Sequence, residues 1–138
     1  MNFSDDFHMK KVYIGVGFKE RQSLDEEIDV IKDVLILNGY KAIVFVDDFS
    51  FDPSAEKGMM RVACEEIADS EMLVVELSSK AIGVGVEVGY AKALGKRIIY
   101  LRKKDTEYSK TIGGLADESI EYDDADDLRE KFSASVTQ

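Results

Sequence analysis

Short apolar runs alternate along this chain with longer stretches in which apolar residues recur every three or four positions. Residues 12–16 form a β-branched and aromatic run that ends at Gly17, the pattern of a buried strand entering a loop. Ser23-Leu24-Asp25-Glu26 has the form of a capping box, in which a serine hydroxyl and a glutamate satisfy exposed helix amides. Leu24, Ile28, Ile31 and Leu35 then follow at helical spacing and predict one apolar stripe on a helix that stops at Asn38-Gly39. Residues 42–46 make a second strand closed by Asp47-Asp48, and Pro53 marks the approach to a helix over about 54–68. Residues 72–77 and 97–101 read as the third and fourth strands, with a glycine-punctuated helix between them. A weaker fifth strand over 119–122 precedes an acidic amphipathic helix over about 125–132.

Strands that are apolar on both faces and alternate with helices predict a parallel sheet covered on each side. The expected fold is a single-domain α/β structure, a doubly wound, flavodoxin-like parallel sheet of about five strands with helices on both faces. Residues 10–133 are expected to form the domain, with 1–9 and 134–138 as flexible termini. In such sheets ligands bind beyond the carboxyl ends of the strands, so the loops after Val16, Val46, Leu77 and Leu101 are the places to look for chemistry.

Composition narrows the function without changing the fold. With 138 residues the chain is sized for one domain. Its net charge of −10 would repel a phosphate backbone, so nucleic acid is disfavoured as a partner. One cysteine, Cys64, and one histidine, His8, are too few for a disulfide or a Cys/His zinc site, and no cofactor is expected. Neither a signal peptide nor an apolar run of membrane-spanning length is visible, so a soluble, cytoplasmic protein with no membrane partner is expected.

The candidate chemistry lies after the third strand. Gly83-x-Gly85 would let the backbone approach a ligand and leave amides free at a helix N-terminus, with Glu87 expected in the first helical turn. Spacing alone equally allows a plain turn followed by a stabilising N-terminal charge. No Gly-x-x-x-x-Gly-Lys phosphate loop occurs, and no Gly-x-Gly-x-x-Gly follows the first strand. Gly15-Val16-Gly17 and Ser78-Ser79 stand where a phosphoacceptor receiver domain would need aspartates. Gly17-Phe18-Lys19-Glu20 is not the hydroxyl-rich loop of a flavodoxin.

Gly83-Val84-Gly85-Val86-Glu87-Val88-Gly89, continued by Ala91 and Lys96-Arg97-Ile98, resembles the nucleoside 2-deoxyribosyltransferase family, most closely its 2′-deoxynucleoside 5′-phosphate N-hydrolase branch. Val12-Tyr13-Ile14-Gly15, residues 72–77 and residues 108–112 extend the resemblance over nearly the whole chain. It implies an enzyme that cleaves or transfers the N-glycosidic bond of a nucleoside or nucleoside 5′-phosphate, with Glu87 as nucleophile and Tyr13 orienting it. Read from its strand alone, Tyr13 is equally a core tyrosine.

The resemblance places Gly15, Gly17, Gly83 and Gly85 against the substrate, and Lys19 and Arg21 near a 5′-phosphate, although charges in such a loop are commonly solvated. Ser109 matches a serine that reaches a neighbouring subunit's site, which, with the long 103–114 connection, implies a homodimer or higher homo-oligomer. The chain departs from the family pattern at Ala63, Ala81 and Val86, where aspartate, serine and tyrosine are usual. The alternatives are a catalytically inactive nucleotide-binding module and an NAD-cleaving domain.

Overall fold

The computed structural model describes residues 9–137, so the expectation for residues 1–8 and Gln138 lies outside the described residues. Five strands, β1 (Lys11–Val16), β2 (Lys41–Val44), β3 (Met72–Glu76), β4 (Arg97–Lys103) and β5 (Glu118–Tyr122), form one sheet in the order β2-β1-β3-β4-β5. Every pairing is parallel, with Tyr13 opposite Ile43 on one side and Leu73 on the other. The doubly wound α/β architecture expected from the sequence is the one observed.

The helices are α1 (Asp25–Leu37), the short α2 (Phe45–Asp48), α3 (Glu56–Ala68), α4 (Ile82–Ala93), the short α5 (Lys110–Leu115) and α6 (Ala125–Val136). Side chains alternate across the sheet, and this divides the core in two. Val12, Ile14, Val74, Ile99 and Leu101 face α1 and α6. Tyr13, Leu73, Val75, Ile98 and Tyr100 face the side occupied by α2, α3, α4 and α5.

Four local expectations are corrected. The capping box does not form: residues 21–24 make a 3-10 turn, and the Ser23 hydroxyl donates to the Glu20 carbonyl (2.9 Å) while α1 starts at Asp25. The second strand stops at Val44, because Phe45 turns into α2 and the Val44 amide donates to the Asp48 carboxylate (2.9 Å). The third helix starts at Glu56, since Asp52 first closes a turn on Ser54 (2.9 Å) and the Ala55 amide (2.8 Å).

The last helix runs on to Val136, so residues 134–136 are not a flexible tail. Ser135 and Val136 are buried, and the Arg97 guanidinium donates to the Ser135 carbonyl at 3.1 Å. The expected end of α1 is observed: Gly39 has a φ of +86°, a left-handed conformation that glycine adopts without strain, and its amide reaches back to the Ile36 carbonyl at 3.0 Å.

Candidate active site

The strand order reverses at β1, whose neighbours β2 and β3 lie on opposite sides, and the crevice this opens lies beyond the strands' carboxyl ends. A cavity of about 480 Å3 occupies this place. Val16, Gly17 and Phe18 enter it from the end of β1, Phe45 and Val46 from α2, Lys80 and Ala81 from the loop after β3, and Ile82 from the start of α4.

Glu87 faces the cavity from α4. The helix packs on the sheet through Val84, Val88 and Ala91, and Glu87 lies beside that stripe, one turn from Val84 and one from Ala91. It belongs to the second turn, not the first as expected, so the helix dipole is not what holds its charge. Tyr13, fully buried in β1, donates its hydroxyl to Glu87 Oε2.

The carboxylate also stands directly over Gly15. A methyl group at that glycine would lie 3.2 Å from Glu87 Oε1 and 3.1 Å from Val75 Cγ1. Only a residue without a side chain lets the acid settle this low on the strand. Burial raises the Glu87 carboxyl to about 7, against the lowering effect of the Tyr13 hydrogen bond. Burial, followed by the charge of Glu87, holds the Tyr13 phenol well above its ordinary range, so it remains a donor at neutral pH.

The wall opposite α4 is apolar and aromatic. Phe45 stacks on Tyr13 with ring centroids 5.7 Å apart, and Phe49 and Phe51 continue the cluster at 5.3 and 5.9 Å from Phe45. Met59 and Met60 of α3 line the same wall, and Phe18 stands exposed at the rim. A carboxylate on one side and planar apolar surface on the other suit a ligand with a reactive polar centre and a flat ring.

The structure brings Glu87, Tyr13 and Gly15 into contact and puts Gly17, Lys19 and Gly83 on the cavity wall. It does not bring Arg21 there. The guanidinium is turned to Asp47, which accepts from Nε at 2.9 Å and Nη2 at 2.8 Å, and to Asp25 at 2.8 Å from Nη1. Gly85 is not free to offer its amide, which donates to the Ala81 carbonyl at 3.2 Å within the helix.

Ser109 caps α5, accepting from the Ile112 amide at 3.2 Å, and its own amide donates to the Tyr100 hydroxyl at 3.0 Å. It lines a second hollow of about 220 Å3 that shares Lys80, Ala81 and Ile82 with the first. Among the described residues no group of three or more His, Cys, Asp or Glu side chains could hold a metal ion.

Sequence reasoning missed Phe45, Met59, Met60, Lys80 and Glu20 as cavity residues. Phe45 and the two methionines read as core positions, and only the turn into α2 shows that they border a void. Lys80 and Glu20 carried the signal of charge at the carboxyl end of a strand, which position alone flags.

No protein-family model matches the sequence, and no curated protein does. Solved structures do. The chain is similar to the CMP N-glycosidase BcmB of Clostridium botulinum, with 21% identity and a TM-score of 0.71 over 91% of this chain and 99% of that one. It is also similar to the 2-deoxyribosyltransferase of Bacillus psychrosaccharolyticus (15% identity, TM-score 0.69, 91% and 95% covered). The 2-deoxyribosyltransferase of Leishmania mexicana follows (14% identity, TM-score 0.62, 91% and 97% covered). The fold is shared with these enzymes. By their names the first is an N-glycosidase of CMP and the other two transfer 2-deoxyribosyl groups, and at such identities the likeness is one of fold.

Proposed function

We propose that this protein is an enzyme that cleaves or transfers the N-glycosidic bond of a nucleoside or nucleoside 5′-phosphate, with Glu87 as nucleophile. The observation that carries the reading is the Glu87 carboxylate, held by Tyr13 over Gly15 at the floor of an open cavity at the strand-order reversal. The shared fold of a CMP N-glycosidase and of 2-deoxyribosyltransferases supports the same chemistry.

In the proposed reaction a Glu87 oxygen attacks the anomeric carbon from the face opposite the base. The C1′–N bond breaks and the base leaves with the electron pair, taking a proton from solvent. The sugar is then held as an ester on Glu87. Water attacks C1′ and releases free sugar, or a second base attacks and gives a new nucleoside; Glu87 is regenerated either way. Tyr13 hydrogen-bonds one carboxylate oxygen, which fixes the direction of the other. The apolar wall of Phe45, Met59 and Met60 offers a surface for the leaving base.

The proposal extends to assembly as a homodimer or higher homo-oligomer, supported by exposed apolar side chains, Phe18 and Ile82 on the cavity wall and Val86 and Tyr108 outside it. A second reading, a nucleotide-binding module without catalysis, has support from Ala63 and Ala81. The first is buried in the core and the second presents only a methyl group to the cavity, so neither supplies the polar contact that the resemblance implies.

The test is incubation with nucleosides, nucleoside 5′-phosphates and NAD while free base is measured. Release from nucleosides or their phosphates that Glu87→Gln abolishes supports the enzyme. Binding without release supports the module, and release from NAD alone would replace both readings.

A further inference from the structure

Tyr13, Gly15 and Gly17 lie on one face of β1 and its extension, because alternate residues of a strand share a side. Each of the two glycines carries a carboxylate above it. Glu87 stands over Gly15, and Glu20 stands over Gly17, where a methyl group would collide with Glu20 Oε2. The same methyl group would lie 3.0 Å from Ala81 Cβ, so the Glu20 carboxylate is beside the residue that precedes α4.

The amides of Ile82, Gly83 and Val84 open that helix without intrahelical acceptors, which makes its N-terminus a place for an anion. Glu20, which lines the same cavity, brings a carboxylate to this side of it. Of the nearby basic groups, Arg21 pairs with Asp47 and Asp25 at 2.8 Å each, and Lys80, on the cavity wall, pairs with Glu107 at 2.9 Å. Lys19 lies on the cavity wall and is exposed.

We propose that Glu20 sets the substrate class of this site, selecting a nucleoside with a free sugar hydroxyl and disfavouring its 5′-monophosphate. The proposal rests on the reading of Glu87 as the group that faces C1′. Two residues of extended chain separate the carboxylates' footholds by about 6–7 Å, the scale of a pentose together with a contact at its ends. A sugar seated on Glu87 therefore presents its far hydroxyl to Glu20, which accepts a hydrogen bond from it. A phosphate there meets a like charge.

The experiment compares cytidine, uridine, adenosine and guanosine, in ribo and deoxy forms, each against its 5′-monophosphate. Affinity is measured by calorimetry and base release by chromatography, in the wild type, Glu20→Gln and Glu20→Asp. The wild type is expected to bind at least one nucleoside about tenfold more tightly than its monophosphate. Glu20→Gln is expected to lower that ratio about tenfold by tightening the monophosphate, and Glu20→Asp to retain most of it. Added salt narrows the ratio in the wild type and not in Glu20→Gln.

A wild type that prefers monophosphates, a ratio untouched by Glu20→Gln, or no binding of either class overturns the proposal. A nucleoside preference that depends on Glu20, without base release from any compound, sinks the nucleophile reading and leaves the selection by Glu20 standing.

Discussion

Glu87 is an acid placed where its charge is costly. Its folded-state value of about 7 lies above the ordinary 4.5, and for a carboxyl that sign means stability falls as pH rises from about 4.5 through 7, the deficit being complete above 7. Glu87→Gln is therefore expected to be more stable than the wild type at pH 8 by about 2 kcal/mol, allowing for partial exposure, and nearly equal at pH 4. Thermal melts at the two pH values check this. The same substitution should lower base release by at least about a thousandfold, since an amide keeps the volume and offers no nucleophilic oxygen. In the wild type kcat/KM should rise with pH to a plateau above about 7, because the ionised acid attacks. Tyr13→Phe removes the hydrogen bond that lowers Glu87, so its rising limb should move to higher pH as well as to a lower plateau. A limb that stays in place would mean that Tyr13 does not tune the acid.

Between elements, the spacing of β1 and α4 is set by a single missing side chain. Gly15→Ala would press a methyl group on Glu87 Oε1 and Val75 Cγ1, and both must yield by a few tenths of an ångström. Catalysis depends steeply on such placement, so a loss of about 10–100-fold in kcat with a small change in melting temperature is expected. On the other face, β3 ends on a buried acid of a different kind. Glu76 accepts from the Ser78 amide at 2.8 Å, the Ser78 hydroxyl at 2.7 Å and the Tyr122 hydroxyl, while Ser78 Oγ accepts from the Lys103 amide at 2.8 Å. This network ties the carboxyl ends of β3, β4 and β5 together beside the cavity-bearing loop. Tyr122→Phe should cost about 1–3 kcal/mol in denaturant unfolding, because the buried carboxylate loses a donor that water cannot replace there. An unchanged midpoint would show that the network carries no stability.

At the scale of the whole molecule, apolar residues cluster at the mouth of the cavity. Ile82, at the start of α4, is 90% exposed and Phe18, after β1, 81%, and both line the cavity. A second copy seated there would cover them and border the hollow that holds Ser109. Light scattering at micromolar concentration should give a dimer or larger assembly, and Ile82→Asp should shift it toward monomer. A wild-type monomer would refute the assembly proposed here. Among the described residues no helix is long and apolar enough to cross a membrane.

The sequence by itself determined the order of the five strands and the four long helices, the parallel sheet and the position of Glu87 at its carboxyl edge. Each of these follows from local periodicity: buried runs of four to seven residues, apolar stripes at helical spacing, and glycines where the chain turns. Tertiary structure decided what such a pattern does not encode. The glycines that admit a close approach are Gly15 and Gly17 on the strand side, while Gly83 and Gly85 have open space around them. Arg21 pairs with Asp47, 26 positions away, and so turns from the cavity; Glu20 lies over Gly17 on the side of α4. Val136 reads as part of a polar tail, yet α6 carries it into the core. Periodicity specifies which face of an element is apolar, but charge pairing and close approach depend on residues far apart in the chain, and only the packed sheet brings them together.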